Sequence, residues 1–170
     1  MNPPPEQAEL YTRTYTALGK FVVSFSGLLH SLETSTVQLI APFCEYGQMM
    51  RMNTAIADRT ASPIVGAFFS VFYERWKSHI GTDEKKILKV LRRELDSVVK
   101  ERNRLMHDVW MYKTGGEDPG PNSMSRFRIR AHGEGVEFED IDYHPEQFDL
   151  LTNKVNRLSS VVNGLAWYMR

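Results

Sequence analysis

The chain has 170 residues, of which 42% are hydrophobic and 25% charged, ordinary values for one globular domain with a sizeable core. Lys plus Arg and Asp plus Glu both number 21, so the formal net charge is zero and does not favour nonspecific nucleic-acid binding by the whole surface. A local basic groove stays open as an alternative, and a charge near zero is compatible with self-association. The single cysteine, Cys44, excludes an internal disulfide and a cysteine-rich zinc site.

The sequence has no apolar run that approaches the roughly 18 residues of a membrane span. The first five residues, Met1 to Pro5, lack the basic and apolar regions of a signal peptide. We therefore expect a short disordered lead-in over residues 1–6, a single domain over residues 7–170, no membrane contact and a cytoplasmic location.

Apolar residues at helical spacing predict a long first helix over about residues 5–40. Pro42 interrupts this pattern, and a second helix is expected over residues 43–58. A third helix is expected to run to about residue 80, with Ser62 as its N-cap and Pro63 at its first position. Because this helix is apolar over most of its circumference, we expect it to be central in the fold or to face a partner chain.

The fourth segment, from Thr82 to about Trp110, has the pattern of a helix with one buried face. Arg102 falls inside the apolar stripe of this segment. A lone buried charge costs several kcal/mol, so a guanidinium there must be paired or must line a cavity. Asn103 and His107 are four residues apart and share a neighbouring face. The stripe consists of Ile87, Leu88, Leu91, Leu95, Val98, Val99, Leu105, Met106 and Val109.

A Gly- and Pro-rich segment over residues 113–123 is expected to be a loop. The following residues alternate between apolar and charged, which predicts a β-hairpin over about residues 124–142 with its turn at residues 132–135. The last helix is expected over residues 145–168. The predicted fold class is all-α, an antiparallel bundle of four to five helices with a small β-hairpin inserted before the last helix.

The end of the fourth helix resembles the HEPN superfamily (higher eukaryotes and prokaryotes nucleotide-binding). Many members carry an arginine and a histidine with four to six residues between them, the first of which is polar. Arg102, Asn103 and His107 match this motif, and Trp110 is the bulky apolar residue that follows it. The phenylalanine-rich first helix is also similar to the opening helix of the family, through Phe25, Leu29, Leu32 and Glu33. Family members are compact helical bundles and are usually dimeric.

This resemblance implies a metal-independent endoribonuclease that needs no cofactor and cleaves RNA by 2′-hydroxyl attack. It implies His107 as general acid or base, since histidine titrates near neutral pH. Arg102 would stabilise charge on the phosphoryl transition state, and Asn103 would orient a phosphate oxygen or His107. Arg104 is a further candidate for contact with the substrate.

One imidazole cannot act as base and as acid in the same step. We therefore expect a homodimer in which a two-fold axis brings two copies of the motif together. The resemblance also suggests a defence or toxin–antitoxin effector, with RNA as substrate and an antitoxin or another protein as partner.

Structural interpretations stay open for the same residues. Arg102 can form an internal ion pair, with Glu33 or with Glu101 of a partner chain. Asn103 can bond the helix end, and His107 can be a cation at a helix C-terminus. The chain would then be a noncatalytic HEPN-like module that binds a protein or a nucleotide, or a generic helical interaction domain.

Two further patterns have plainer interpretations. The arginines of the first hairpin strand are expected to pair with glutamates across the hairpin rather than to bind RNA. The remaining histidines lack metal-ligand spacing, so we expect no bound metal. The hairpin residues are Arg126, Arg128, Arg130, Glu137 and Glu139. The remaining histidines are His30, His79, His132 and His144.

Overall fold

The computed structural model of the protein describes residues 5–57, 60–107, 109–111, 124–132 and 135–168. These residues form five α-helices and one small sheet, so the predicted helical bundle is confirmed. None of the described helices is both long enough and apolar enough to cross a membrane. The elements in chain order are α1 (Pro5–Ile40), α2 (Tyr46–Ala57), α3 (Ala61–Trp76), α4 (Thr82–His107), β1 (Val109–Met111), β2 (Met124–His132), β3 (Gly135–Tyr143) and α5 (Pro145–Tyr168).

The hydrophobic core lies between α1, α3, α4 and α5. The long helix α1 packs along α5 and α3, and α4 packs against α3 and α5. The Phe68 and Phe69 rings of α3 meet edge to face at a centroid distance of 5.3 Å. Each such buried side chain stabilises the fold by about 1.5–3 kcal/mol. The fully buried phenylalanines are Phe21, Phe68, Phe69, Phe72 and Phe148.

The buried face of α4 is the predicted apolar stripe without its outermost members. Ile87 and Met106 were predicted to belong to it, and this is wrong, because their side chains are 65% and 46% exposed. Both residues have the right helical spacing, but the described part of the bundle leaves their side chains exposed while it buries their neighbours Leu88 and Leu105. The buried members are Leu88, Leu91, Leu95, Val98, Val99 and Leu105.

Helix α1 has the predicted bounds, whereas α2 and α3 differ slightly from the prediction, and α3 ends at Trp76 rather than near residue 80. Helix α1 begins at Pro5, so it takes in the last two residues of the expected lead-in, while residues 1–4 lie outside the described part. Helix α2 begins at Tyr46 rather than at residue 43. Ser62 is not the N-cap of α3. Thr60 holds that position with extended backbone and no side-chain cap hydrogen bond.

Helix α4 ends at His107, three residues before the predicted end, because the chain continues into strand β1. Trp110 therefore belongs to a strand and not to the helix. Strand β1 pairs antiparallel with β2, and β2 pairs antiparallel with β3, in the order β1-β2-β3. The predicted loop over residues 113–123 and the centre of the predicted turn, residues 133–134, lie outside the described residues.

The register of β2 and β3 sets Arg128 opposite Glu139 and Arg130 opposite Glu137. Directly opposed residues of an antiparallel pair lie on the same face of a sheet. The side chains of these residues are outside the described part of the structure, so their predicted ion pairs stay a prediction.

Candidate functional site

Arg102 contacts an aromatic ring of α1 and the side-chain amide of its own neighbour on α4. Its guanidinium carbon lies 5.8 Å from the centroid of the Phe25 ring, a cation–π geometry. Its Nη1 donates a hydrogen bond to Asn103 Oδ1 at 3.3 Å. The Arg102 side chain is only half-buried. Within the described residues, the Phe25 ring and the Asn103 amide stabilise the positive charge of Arg102 on the apolar face of α4.

Glu33, the predicted ion-pair partner of Arg102, makes no such pair within the described part of the chain. It lies eight residues after Phe25 on α1, which is about 12 Å further along the helix axis. Burial raises the pKa of the Glu33 carboxyl, and the neighbouring His30 lowers it by a smaller amount. A guanidinium in contact would instead lower that pKa. The Phe25 ring, rather than the predicted Glu33 carboxylate, is therefore the group of α1 that contacts Arg102.

Asn103 and His107 are both exposed on the outer side of α4. With 3.6 residues per turn, Asn103 and His107 lie about 40° apart around the helix axis, whereas Arg102 and His107 lie about 140° apart. A single chain thus brings Arg102 into contact with Asn103 and places His107 beside Asn103. The arginine and the histidine leave the helix on different sides.

Arg104, the candidate substrate contact, is loosely engaged by its own helix. Its Nη1 lies 3.5 Å from Glu101 Oε2, and Glu101 Oε1 accepts a hydrogen bond from the buried Tyr143 hydroxyl at 2.9 Å. The Arg104 side chain is half exposed and the contact is long, so this ion pair contributes about 0–1 kcal/mol. The Arg104 guanidinium can therefore exchange this contact for a phosphate oxygen at little cost.

Trp110 and Tyr143 tie down the end of α4. Trp110 Nε1 donates to the Leu105 carbonyl at 2.9 Å, and carbonyls of a last helical turn otherwise have no partner within the helix. The Trp110 ring centroid is 5.8 Å from those of both Tyr143 and Phe148. The sequence identified Trp110 only as the bulky apolar residue that follows the motif, and it did not identify Tyr143 as part of the site. The available signal was an aromatic residue two positions before the start of α5.

A shallow, open groove of about 510 Å³, whose described lining comes from α4 alone, follows the outer face of this helix. Its described lining contains five basic side chains and two acidic ones, although the net charge of the whole chain is zero. Asn103 and His107 continue the same face toward the C-terminal end of the helix. A zero net charge is compatible with a local basic groove, and this groove is such a surface. Its lining residues are Lys89, Arg92, Arg93, Asp96, Ser97, Lys100, Glu101 and Arg104.

No cluster of three or more His, Cys, Asp or Glu side chains suited to a metal ion occurs among the described residues. Comparisons with known protein families, with curated proteins and with solved structures found no match. The resemblance to the HEPN superfamily therefore stays a prediction from the sequence motif.

Proposed function

We propose that the protein is a metal-independent endoribonuclease of the HEPN type. The arrangement at the end of α4 supports this proposal more than any other observation. There Arg102 is hydrogen-bonded to Asn103, and the exposed His107 follows one turn later on the face that carries the basic groove. These side chains supply a cation for phosphoryl oxygens, an amide that orients them and an imidazole for proton transfer.

In the proposed reaction, His107 takes the proton of a ribose 2′-hydroxyl, and the oxygen attacks the adjacent phosphorus. The bond from phosphorus to the 5′-oxygen of the next nucleotide breaks, and a second imidazole protonates that oxygen. The products are a 2′,3′-cyclic phosphate and a 5′-hydroxyl. Arg102 stabilises the added negative charge on the nonbridging oxygens, for which its planar guanidinium can donate two parallel hydrogen bonds.

The positions of Arg102 and His107 around α4 support a two-fold dimer. Within one chain the two side chains leave the helix about 140° apart, which is unfavourable for contact with the same phosphate. A second copy, related by a two-fold axis near the end of α4, adds its own imidazole to the site. The dimer also provides the separate base and acid that the reaction requires.

A noncatalytic helical module is the second candidate, and the contact of Arg102 with Phe25 favours it. A guanidinium over an aromatic ring stabilises packing by about 0.5–2 kcal/mol without any ligand. In that case Arg102 fixes α4 against α1, and the exposed face of the motif binds a protein partner or a nucleotide.

Incubation of the purified protein with mixed RNA in EDTA tests the ribonuclease proposal. We expect wild type to produce fragments that end in 2′,3′-cyclic phosphate. His107→Ala should lower the cleavage rate by about 100-fold or more, as loss of a general acid or base does. Because His107 is exposed, the variant should keep the wild-type melting temperature. His30→Ala, which removes an exposed histidine of α1, is the matched control and should cleave normally.

Substitutions of Arg102 separate the two candidates. Arg102→Lys keeps a cation near Phe25 but loses the planar donor pair, so a catalytic role predicts near-wild-type stability with strongly reduced cleavage. A purely structural role predicts that Arg102→Ala lowers the melting temperature and that wild type itself leaves RNA intact. Intact RNA with wild type, or normal cleavage by Arg102→Ala and His107→Ala, contradicts the ribonuclease proposal.

A further inference from the structure

We propose that the groove along α4 is a track for the phosphate backbone of a single RNA strand and that it leads this strand to His107. The assignment rests on the proposed function for the identity of the polymer. It assigns binding to residues outside the Arg102–His107 motif, and the side chains that carry it are Lys89, Arg92 and Lys100.

Three of the five cations in the groove are free to receive an anion. Lys89, Arg92 and Lys100 are exposed, and none of them forms an ion pair within the described part of the chain. Arg92 is nevertheless held in place, because its guanidinium carbon lies 5.7 Å from the centroid of the buried Phe69 ring. An anchored cation loses less conformational freedom when it binds a phosphate.

The remaining cations are only weakly engaged by carboxylates. Arg93 lies 3.4 Å from Glu94, but Glu94 is bonded more closely by Lys154 of α5, at 2.8 Å. The Lys154 hydrogen bond and charge, with a smaller contribution from Arg93, hold the pKa of Glu94 below its usual value. Arg93 is thus the minor partner of that carboxylate and can turn toward a ligand in the groove.

The shape of the cationic row fits a linear polyanion. From Lys89 to Arg104 the helix rises about 22 Å, and basic residues recur along one straight face over that length. A compact anion such as free phosphate engages only one or two of these positions. Lys100, Asn103 and His107 follow one another at three- and four-residue spacing, so the row of polar groups continues into the motif.

The composition of the groove favours the phosphate backbone over the bases. Its described lining has no aromatic side chain on which a base can stack. Lysine, arginine and serine side chains are typical phosphate contacts, and Ser97 lies in the middle of the row. Of the two acidic residues, Glu101 already accepts hydrogen bonds from Tyr143 and Arg104. We therefore expect binding that is independent of base sequence and sensitive to salt.

Fluorescence anisotropy with a labelled 2′-O-methyl RNA oligonucleotide of about 12 nucleotides tests the track. This probe lacks the attacking hydroxyl, so binding is measured without cleavage. Lys89→Gln/Lys100→Gln should weaken binding by roughly ten-fold near 0.1 M salt. It should also reduce the slope of log K against log salt by about 1.4, since each phosphate contact on a single strand contributes about 0.7.

The matched control, Lys20→Gln/Lys77→Gln, removes two charges from α1 and from the C-cap of α3 and should bind like wild type. Both double variants should keep the wild-type melting temperature, because all four lysines are exposed. Equal loss of binding in both double variants indicates general electrostatic attraction and overturns the track. Wild-type binding by Lys89→Gln/Lys100→Gln, or no binding by wild type at low salt, overturns it as well and directs attention to an acidic protein partner.

The outcomes for the track and for the ribonuclease are distinguishable. Binding that depends on Lys89 and Lys100, together with intact ordinary RNA, contradicts the ribonuclease and leaves the track standing. Cleavage of RNA whose rate and binding do not depend on these two lysines contradicts the track and leaves the ribonuclease standing.

Discussion

Arg102 shows how a single charge is accommodated on an apolar helix face without a carboxylate. The face of the Phe25 ring attracts the guanidinium, and the Asn103 side chain accepts one of its hydrogen bonds. Neither group neutralises the charge, and the half-buried side chain keeps part of its contact with solvent. The arginine consequently retains donors for an anion, which a closed ion pair would have consumed.

The half-buried carboxyl of Glu33 allows a second test on a single residue, namely whether its burial destabilises the fold at neutral pH. Because burial raises its pKa, the folded state holds the proton at higher pH than the unfolded state does. The resulting destabilisation is fully present above the folded pKa and disappears as the pH falls below the ordinary value of 4.5. Glu33→Gln should therefore raise the melting temperature at pH 7 by on the order of 1 °C after allowance for solvent screening.

The measurement is thermal unfolding followed by circular dichroism at pH 7, 5.5 and 4. The difference between Glu33→Gln and wild type should shrink as the pH falls. Glu9→Gln, on an exposed position of α1, should show no difference at any of the three values. A lower melting temperature for Glu33→Gln at pH 7 would mean that the charged carboxylate has a stabilising partner.

Among the elements, α4 carries both the motif and the groove, and its C-terminal end depends on the strands that follow it. Trp110 of β1 bonds the Leu105 carbonyl, and Tyr143 at the end of β3 bonds Glu101. The aromatic contacts of both residues with Phe148 connect this end of the helix to the core through α5. The sheet thus positions the last turn of α4, in which His107 lies.

Tyr143→Phe tests this coupling between the sheet and the helix. The change keeps the ring but removes the hydroxyl that donates to Glu101, and hydrogen bonds to charged groups contribute about 1.5–3 kcal/mol. We expect a melting temperature lower by about 3–6 °C and faster amide exchange in the last turn of α4. Tyr15→Phe removes a hydroxyl from a side chain that is 56% exposed and should change neither quantity. Unchanged exchange in Tyr143→Phe would show that the helix end is held independently of the sheet.

Over the whole molecule, charge is distributed unevenly although the total is zero. The cationic excess along α4 is compensated by acidic residues elsewhere in the chain. Such an arrangement attracts an anionic polymer to one face and does not repel a second copy of the chain as strongly as a high net charge does. It is therefore compatible with a dimer that shares one RNA substrate.

Subunit mixing tests whether cleavage requires two chains. If a dimer needs both imidazoles, a threefold excess of His107→Ala subunits should lower the activity of a fixed amount of wild type about four-fold, because only about a quarter of wild-type chains then keep a wild-type partner. Light scattering should report twice the chain mass of 19.6 kDa. An equal excess of His30→Ala, expected to be active, should not inhibit. Activity that does not respond to His107→Ala subunits would show that each chain acts alone.

Features of the fold that depend on interactions within one segment were predicted correctly, and features that depend on contacts between distant segments were not. Helices α1 and α5 begin and end close to the predicted residues, because long amphipathic patterns arise within each segment. The end of α4 was placed three residues too late, since pairing of β1 with a strand more than a dozen residues away decides it. The exposure of Ile87 was missed for a similar reason, because periodicity states which face a residue is on but not whether another helix covers it.

The relations between side chains inside α4 follow from the order of its residues alone. The helical repeat sets Arg102 on the apolar side and Asn103 and His107 on the neighbouring outer side, whatever surrounds the helix. The packing of the folded bundle decides that Phe25 rather than Glu33 receives the guanidinium, that Tyr143 holds Glu101, and that Phe69 receives Arg92. These contacts join residues far apart in the chain, and local periodicity carries no information about which distant side chain approaches.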